Sequence, residues 1–122
     1  MSDGNARIVV RLTERQHRVI GDMVGERERQ RAKWGTQDHP DGTGYSGEYV
    51  AGQEADSLRE IAQQSCEAAF RDGRGTWRHI LAEEIAEAFA EDDETRLRNE
   101  LIQVAAVAVQ WCEAIDRRRE NR

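Results

Sequence analysis

The chain has 122 residues, a net charge of −6, 38% apolar and 34% charged content, which suits a single domain with one modest core. The acidic balance argues against a nucleic-acid duplex as partner, since phosphate contacts want a basic face, but metal ions can still bridge an acidic site to a nucleotide. No apolar run is long enough to cross a bilayer and no signal-peptide core opens the sequence, so a cytoplasmic protein without a membrane partner is expected.

One proline and 6% aromatic residues point to long amphipathic helices rather than sheet. Residues 1–12 read as an N-terminal tail, polar and small up to Ala6 and briefly extended over Arg7–Leu12. Thr13 with Gln16 has the form of a capping box, opening a single domain that runs over residues 13–119 and leaves 120–122 as a C-terminal tail. The first helix is expected over Glu14–Lys33, with Val19, Ile20, Met23 and Val24 as its apolar stripe. Further on, the same face carries Arg27, Gln30 and Trp34, a change of chemistry that suggests a pocket at that end. A helix leaving the core has the same pattern.

Residues 35–49 hold the only proline and several glycines, and read as a long loop of the kind that often forms a lid or binding segment. A second helix is expected over Val50–Phe70, with Leu58, Ile61, Ala62, Cys66 and Ala69 on one face. Arg71–Gly75 breaks it. Thr76 then caps a third helix over Trp77–Glu91, and Asp92 and Asp93 can cap a fourth over Thr95–Arg118, whose arginine-rich end suits a helix C-terminus. Cys66 and Cys112 sit in helical patterns without a CxxC or a nearby His, and read as reduced, buried small side chains. Trp77 and Trp111 read as core. The expected fold is an all-α four-helix bundle.

The chemistry concentrates on the third and fourth helices. Leu81, Ile85, Ala88 and Phe89 form the apolar arc of the third. Glu83 lies away from it and should face water, whereas Glu84 borders the arc and Glu87 follows on the same side. On the fourth helix Glu100 flanks an arc of Leu97, Leu101, Val104, Ala105, Ala108, Trp111, Cys112 and Ile115. Ile102, Ala106 and Val109 form a second apolar strip, so this helix should be buried between two neighbours, one of them plausibly a second subunit.

An EExxE string alone is ordinarily a solvated face. Glu100 among apolar residues is what shifts the balance toward a site. Semi-buried carboxylates that converge without a basic partner repel one another unless a cation or protons neutralise them, and hard oxygen donors favour Mg²⁺ or Mn²⁺. A di-iron site would need Glu-x-x-His pairs, but Glu87 and Gln103 stand at those positions.

EEIAE (Glu83–Glu87), twelve residues, then ELIQ (Glu100–Gln103) resembles the EExxE…ExxD signature of MazG-like enzymes in the all-α nucleoside triphosphate pyrophosphohydrolase superfamily. ERERQRAKWGTQDHP (Glu26–Pro40) and ELIQVAAVAVQWCEAID (Glu100–Asp116) are similar to a MazG-like subgroup, and the likeness covers roughly Glu26–Asp116. The resemblance implies a four-helix bundle of the all-α NTP pyrophosphatase type, assembled as a homodimer or homotetramer. It also implies Mg²⁺-dependent hydrolysis of an NTP or dNTP to monophosphate and pyrophosphate.

By position, Glu84, Glu87, Glu100 and Gln103 would be metal ligands and Glu83 an outer-shell or water-orienting base. Gln103 departs from the signature, bringing a carbonyl oxygen but no charge. Transition-state charge calls for cations, with Lys33 the first candidate and Arg29 the second. Trp34 is a candidate to stack on the base, with Gln30 or Gln37 reading its edge. The alternative is a catalytically weak relative that binds nucleotides or a partner protein. A third reading is a structural helical oligomer with solvated acids.

Overall fold

Three of the helix starts fall on side chains that the sequence marks as caps. In the computed structural model, which describes residues 11–41, 43–45 and 47–122, Thr13 Oγ1 accepts from the Gln16 N–H at 3.1 Å and Gln16 Oε1 accepts from the Thr13 N–H at 3.0 Å. Thr76 accepts from the His79 N–H at 3.2 Å and Asp93 from the Arg96 N–H at 2.8 Å. Each cap fills a donor that the first helical turn cannot, worth about 1 kcal/mol. Expectations for residues 1–10, including most of the extended stretch, lie outside the described residues.

These caps open α1 (Glu14–Trp34), α3 (Trp77–Phe89) and α4 (Glu94–Glu120), while α2 spans Ala55–Arg71. The protein is all-α apart from one antiparallel hairpin, β1 (Glu48–Val50) and β2 (Gln53–Glu54). The hairpin corrects the expected start of the second helix at Val50. Its turn is Ala51-Gly52, and Gly52 has φ 76°, a left-handed conformation that glycine adopts freely and a helix does not use. Helix α4 runs two residues beyond its expected end, to Glu120, where that carboxylate pairs with both Arg15 and Arg18 of α1. No helix among the described residues is long and apolar enough to cross a membrane.

Helix α3 packs on both α2 and α4, whereas α1 rests on α4. The buried positions are mostly small: Ala55, Ala69, Ala86, Ala88, Ala90 and Ala114, with Val19, Cys66 and Leu97. Small side chains let helices approach closely, and the interior shows this in having no large side chain fully buried among the described residues.

That economy leaves apolar side chains uncovered. Ile61 is 59% exposed, Leu101 49% and Ile102 56%, so the stripes expected from the sequence are only partly buried within one chain. On α4, length contributes. Helix α4 is about 40 Å long at 1.5 Å per residue and α3 about 20 Å, so α3 covers one half of α4 and α1 the other only along a narrow seam. Cys112 is exposed and unpaired with Cys66, correcting its expected burial, and Trp77 and Trp111 are half-buried. Ala88 is fully buried, so Ala88→Leu should overpack the bundle by about 1–3 kcal/mol, read as a lower urea midpoint at unchanged m-value.

Candidate metal centre

Two helices supply the centre and one turn aligns them. Glu84 and Glu87 are one turn apart on α3, and Glu100 lies in the second turn of α4 on the helix that packs against it. One carboxylate oxygen from each of the three falls within 4.8 Å of the others, and all three residues are half-buried. Glu84 Oε2 and Glu100 Oε2 are buried without a hydrogen-bond partner. Among the described residues no Lys, Arg or His forms an ion pair with any of the three.

The electrostatic cost is visible on the α3 members. Burial raises the Glu84 carboxyl above the usual carboxylate range, and repulsion by Glu100 and then Glu83 adds to it. Burial likewise raises Glu87, opposed by a hydrogen bond from Gln63 and reinforced by Glu84, Glu100 and Glu83. Three half-buried, mutually repelling carboxylates, two of them with a buried oxygen that has no partner, are a donor set a hard divalent cation satisfies. Mg²⁺ or Mn²⁺ fits these residues on that ground.

Gln63 is a contributor that the sequence reading missed. It sits on α2, and its Nε2 donates to Glu87 Oε1 at 3.4 Å. The available signal was its place one turn before Cys66, at the edge of the buried face, where a glutamine needs a polar partner. Glu83, expected to face water, is half-buried. It lies beside Cys66, whose thiol is pushed up to about 11 by burial first and the Glu83 carboxylate second.

The remaining candidates lie on α4, on α1 and just beyond the end of α1. Gln103 follows Glu100 by one turn of α4 and is exposed. Lys33, Trp34 and Gln37 are exposed as well, with the Lys33 Nζ 4.7 Å from the Trp34 ring centroid. Arg29 is tied to Glu26 at 2.8 Å, and Gln30 accepts from Arg27 at 2.7 Å. These contacts all run along α1 itself. The groove beside α1, about 460 Å³, is formed further toward its N-terminus by Val19, Asp22, Met23 and Glu26 with Cys112, Ile115, Asp116 and Arg119. The stripe's change of chemistry therefore marks where α1 leaves α4. The structure brings the three glutamates together and leaves the α1 candidates outside their cluster.

Comparison of the chain with protein-family models, with curated proteins and with solved structures gives no match in any of the three.

A carboxyl group whose folded-state pKa exceeds its unfolded value of about 4.3 adds most to stability at low pH, and that contribution is lost as pH rises through the raised value. In metal-free protein, Glu84→Gln should therefore raise Tm at pH 7 by on the order of 3 °C and leave it little changed near pH 3. Differential scanning calorimetry of both proteins across that range checks this difference, and Mg²⁺ should stabilise the wild type and not the variant at pH 7.

Proposed function

We propose that this chain is a Mg²⁺-dependent nucleoside triphosphate pyrophosphohydrolase, hydrolysing an NTP or dNTP to the monophosphate and pyrophosphate. The observation that carries the reading is the convergence of Glu84, Glu87 and Glu100, with a buried oxygen of Glu84 and one of Glu100 left unpartnered. The order of EEIAE, ELIQ and the α1 string, similar to MazG-like enzymes, supports the reaction class.

Glu84, Glu87 and Glu100 would hold the cation, which supplies charge neutralisation for the triphosphate and polarises its phosphoanhydride. Gln103, one turn along α4, adds an amide oxygen to the same edge of the helix. Glu83 would accept a proton from the attacking water, and its place beside the cluster, one residue before Glu84, suits that role. Lys33 and Arg29 would meet developing phosphoryl charge, and Trp34 would stack on the base with Gln30 and Gln37 at its edge.

The exposed Leu101 and Ile102 offer α4 a second neighbour, in line with a homodimer or homotetramer. Sedimentation should find more than one copy per particle, and Ile102→Glu should dissociate it.

A second reading, a catalytically weak nucleotide- or partner-binding relative, draws on Gln103, uncharged and exposed where the resembled signature has Asp. Incubation with a panel of NTPs and dNTPs and Mg²⁺, assayed for pyrophosphate, separates the two. The expected result is release from at least one substrate, with Glu84→Gln slower by about 100-fold or more. No release from any, with Glu84→Gln indistinguishable from wild type, would sink the enzyme reading; Mg²⁺-dependent binding without turnover would favour the second. If Gln103→Asp raises the rate, the amide attenuates the site.

A further inference from the structure

The acidic run Glu91-Asp92-Asp93 connects α3 to α4, and its members do different work. Asp93 caps α4, so Asp92, the other expected cap, is free for another use. Its Oδ1 accepts from the backbone N–H of Tyr45 at 2.9 Å, across 47 residues of sequence. Beside it, the Gly44 N–H donates to the Phe89 carbonyl at 3.0 Å, filling an acceptor that the end of α3 leaves open.

The same stretch of chain is held from its other flank. The Tyr45 carbonyl accepts from the Asp56 N–H at 3.2 Å and the Gly47 carbonyl from the Ala55 N–H at 2.6 Å. Tyr49 of the hairpin packs against Phe89 in a tilted contact, ring centroids 5.0 Å apart. Gly44 itself is buried at φ 135°, and a Cβ there would stand 2.8 Å from Asp92 Oδ1. The contact thus admits no side chain at residue 44 and reads only backbone at residue 45.

We propose that Asp92 is a positioning residue, the catch that fixes the chain at Gly44 and Tyr45 and thereby keeps the C-terminal end of α1 within range of the glutamate cluster. The part concerning α1 rests on the function proposed above. With the catch closed, the chain between α1 and its first fixed point is residues 35–43. With it open and the hairpin released, that span extends through residue 54. Effective concentration falls with roughly the three-halves power of tether length, so a roughly doubled tether lowers it about threefold.

Lys33 is the only lysine of the chain and Cys112 is the exposed cysteine, so once the terminal amine is blocked near neutral pH, where it reacts ahead of a lysine, an amine-reactive and a thiol-reactive dye report the reach of α1. In Asp92→Ala the distance distribution between the dyes should broaden, and Tyr45 amide exchange should quicken about tenfold. KM for the four common dNTPs with Mg²⁺ should rise about threefold at unchanged kcat. Asp92→Asn retains an accepting oxygen and should restore all three. Gly44→Ala should reproduce the release without touching Asp92. An unchanged dye distribution in Asp92→Ala and Gly44→Ala overturns the catch, and a broadened one with unchanged KM overturns its positioning role. A wild type that turns over no dNTP, NTP or analogue defeats the functional reading, while the dye measurement still decides the catch.

Discussion

The connection between α3 and α4 constrains everything at the glutamate cluster. Residues 90–93 are all that separates the two helices, and a connection of that length permits little other than antiparallel packing. At a common rise per residue, positions equally far from the turn come level with each other. Glu84 lies about as far before the turn as Glu100 lies after it, so the two carboxylates meet because the turn is short. Glu87 joins them because one helical turn returns it to the face of Glu84.

Against this alignment the rest of the fold supplies little surplus. Its interior is largely alanine, and each alanine removes less apolar surface from water than the larger side chains left outside. The cluster adds repulsion and uncompensated burial to that modest core. A fold with this arithmetic gives up stability at the cluster. The raised carboxyls of Glu84 and Glu87 make the expenditure visible without a bound ligand, and a cation held there would relieve both burial and repulsion at once.

Much of this was readable from residue spacing. The caps at Thr13, Thr76 and Asp93 and the four helices follow from local chemistry, and helical periodicity put Glu84 and Glu87 on one side of α3, although Glu83, expected to face water, is half-buried with them. Contacts set by tertiary distance were not readable. Gln63 reaches Glu87 from α2, whose register against α3 no periodicity fixes. The hairpin was hidden because Gly52 in an otherwise helical pattern looks like a tolerated interior glycine until its φ is known. The exposure of Leu101, Ile102 and Cys112 depends on how much of α4 its neighbours can cover, and that of Ile61 on what packs against α2. A wheel assigns a face to a side chain, but not a partner to the face.

The attachment of α1 has a consequence for how copies of the chain meet. Its seam on α4 is narrow, its ion pairs to Glu120 are solvent-accessible, and a long segment joins it to α2. Every copy carries the same α4 surface, so α1 of one chain can lie on α4 of another and remake the same contacts. Such domain swapping costs association entropy and linker stretch and no new interface chemistry. Ionic strength weakens the Glu120 pairs in either arrangement, whereas protein concentration favours the exchanged one. The length of residues 35–54 then sets how far apart two exchanging bodies can stand.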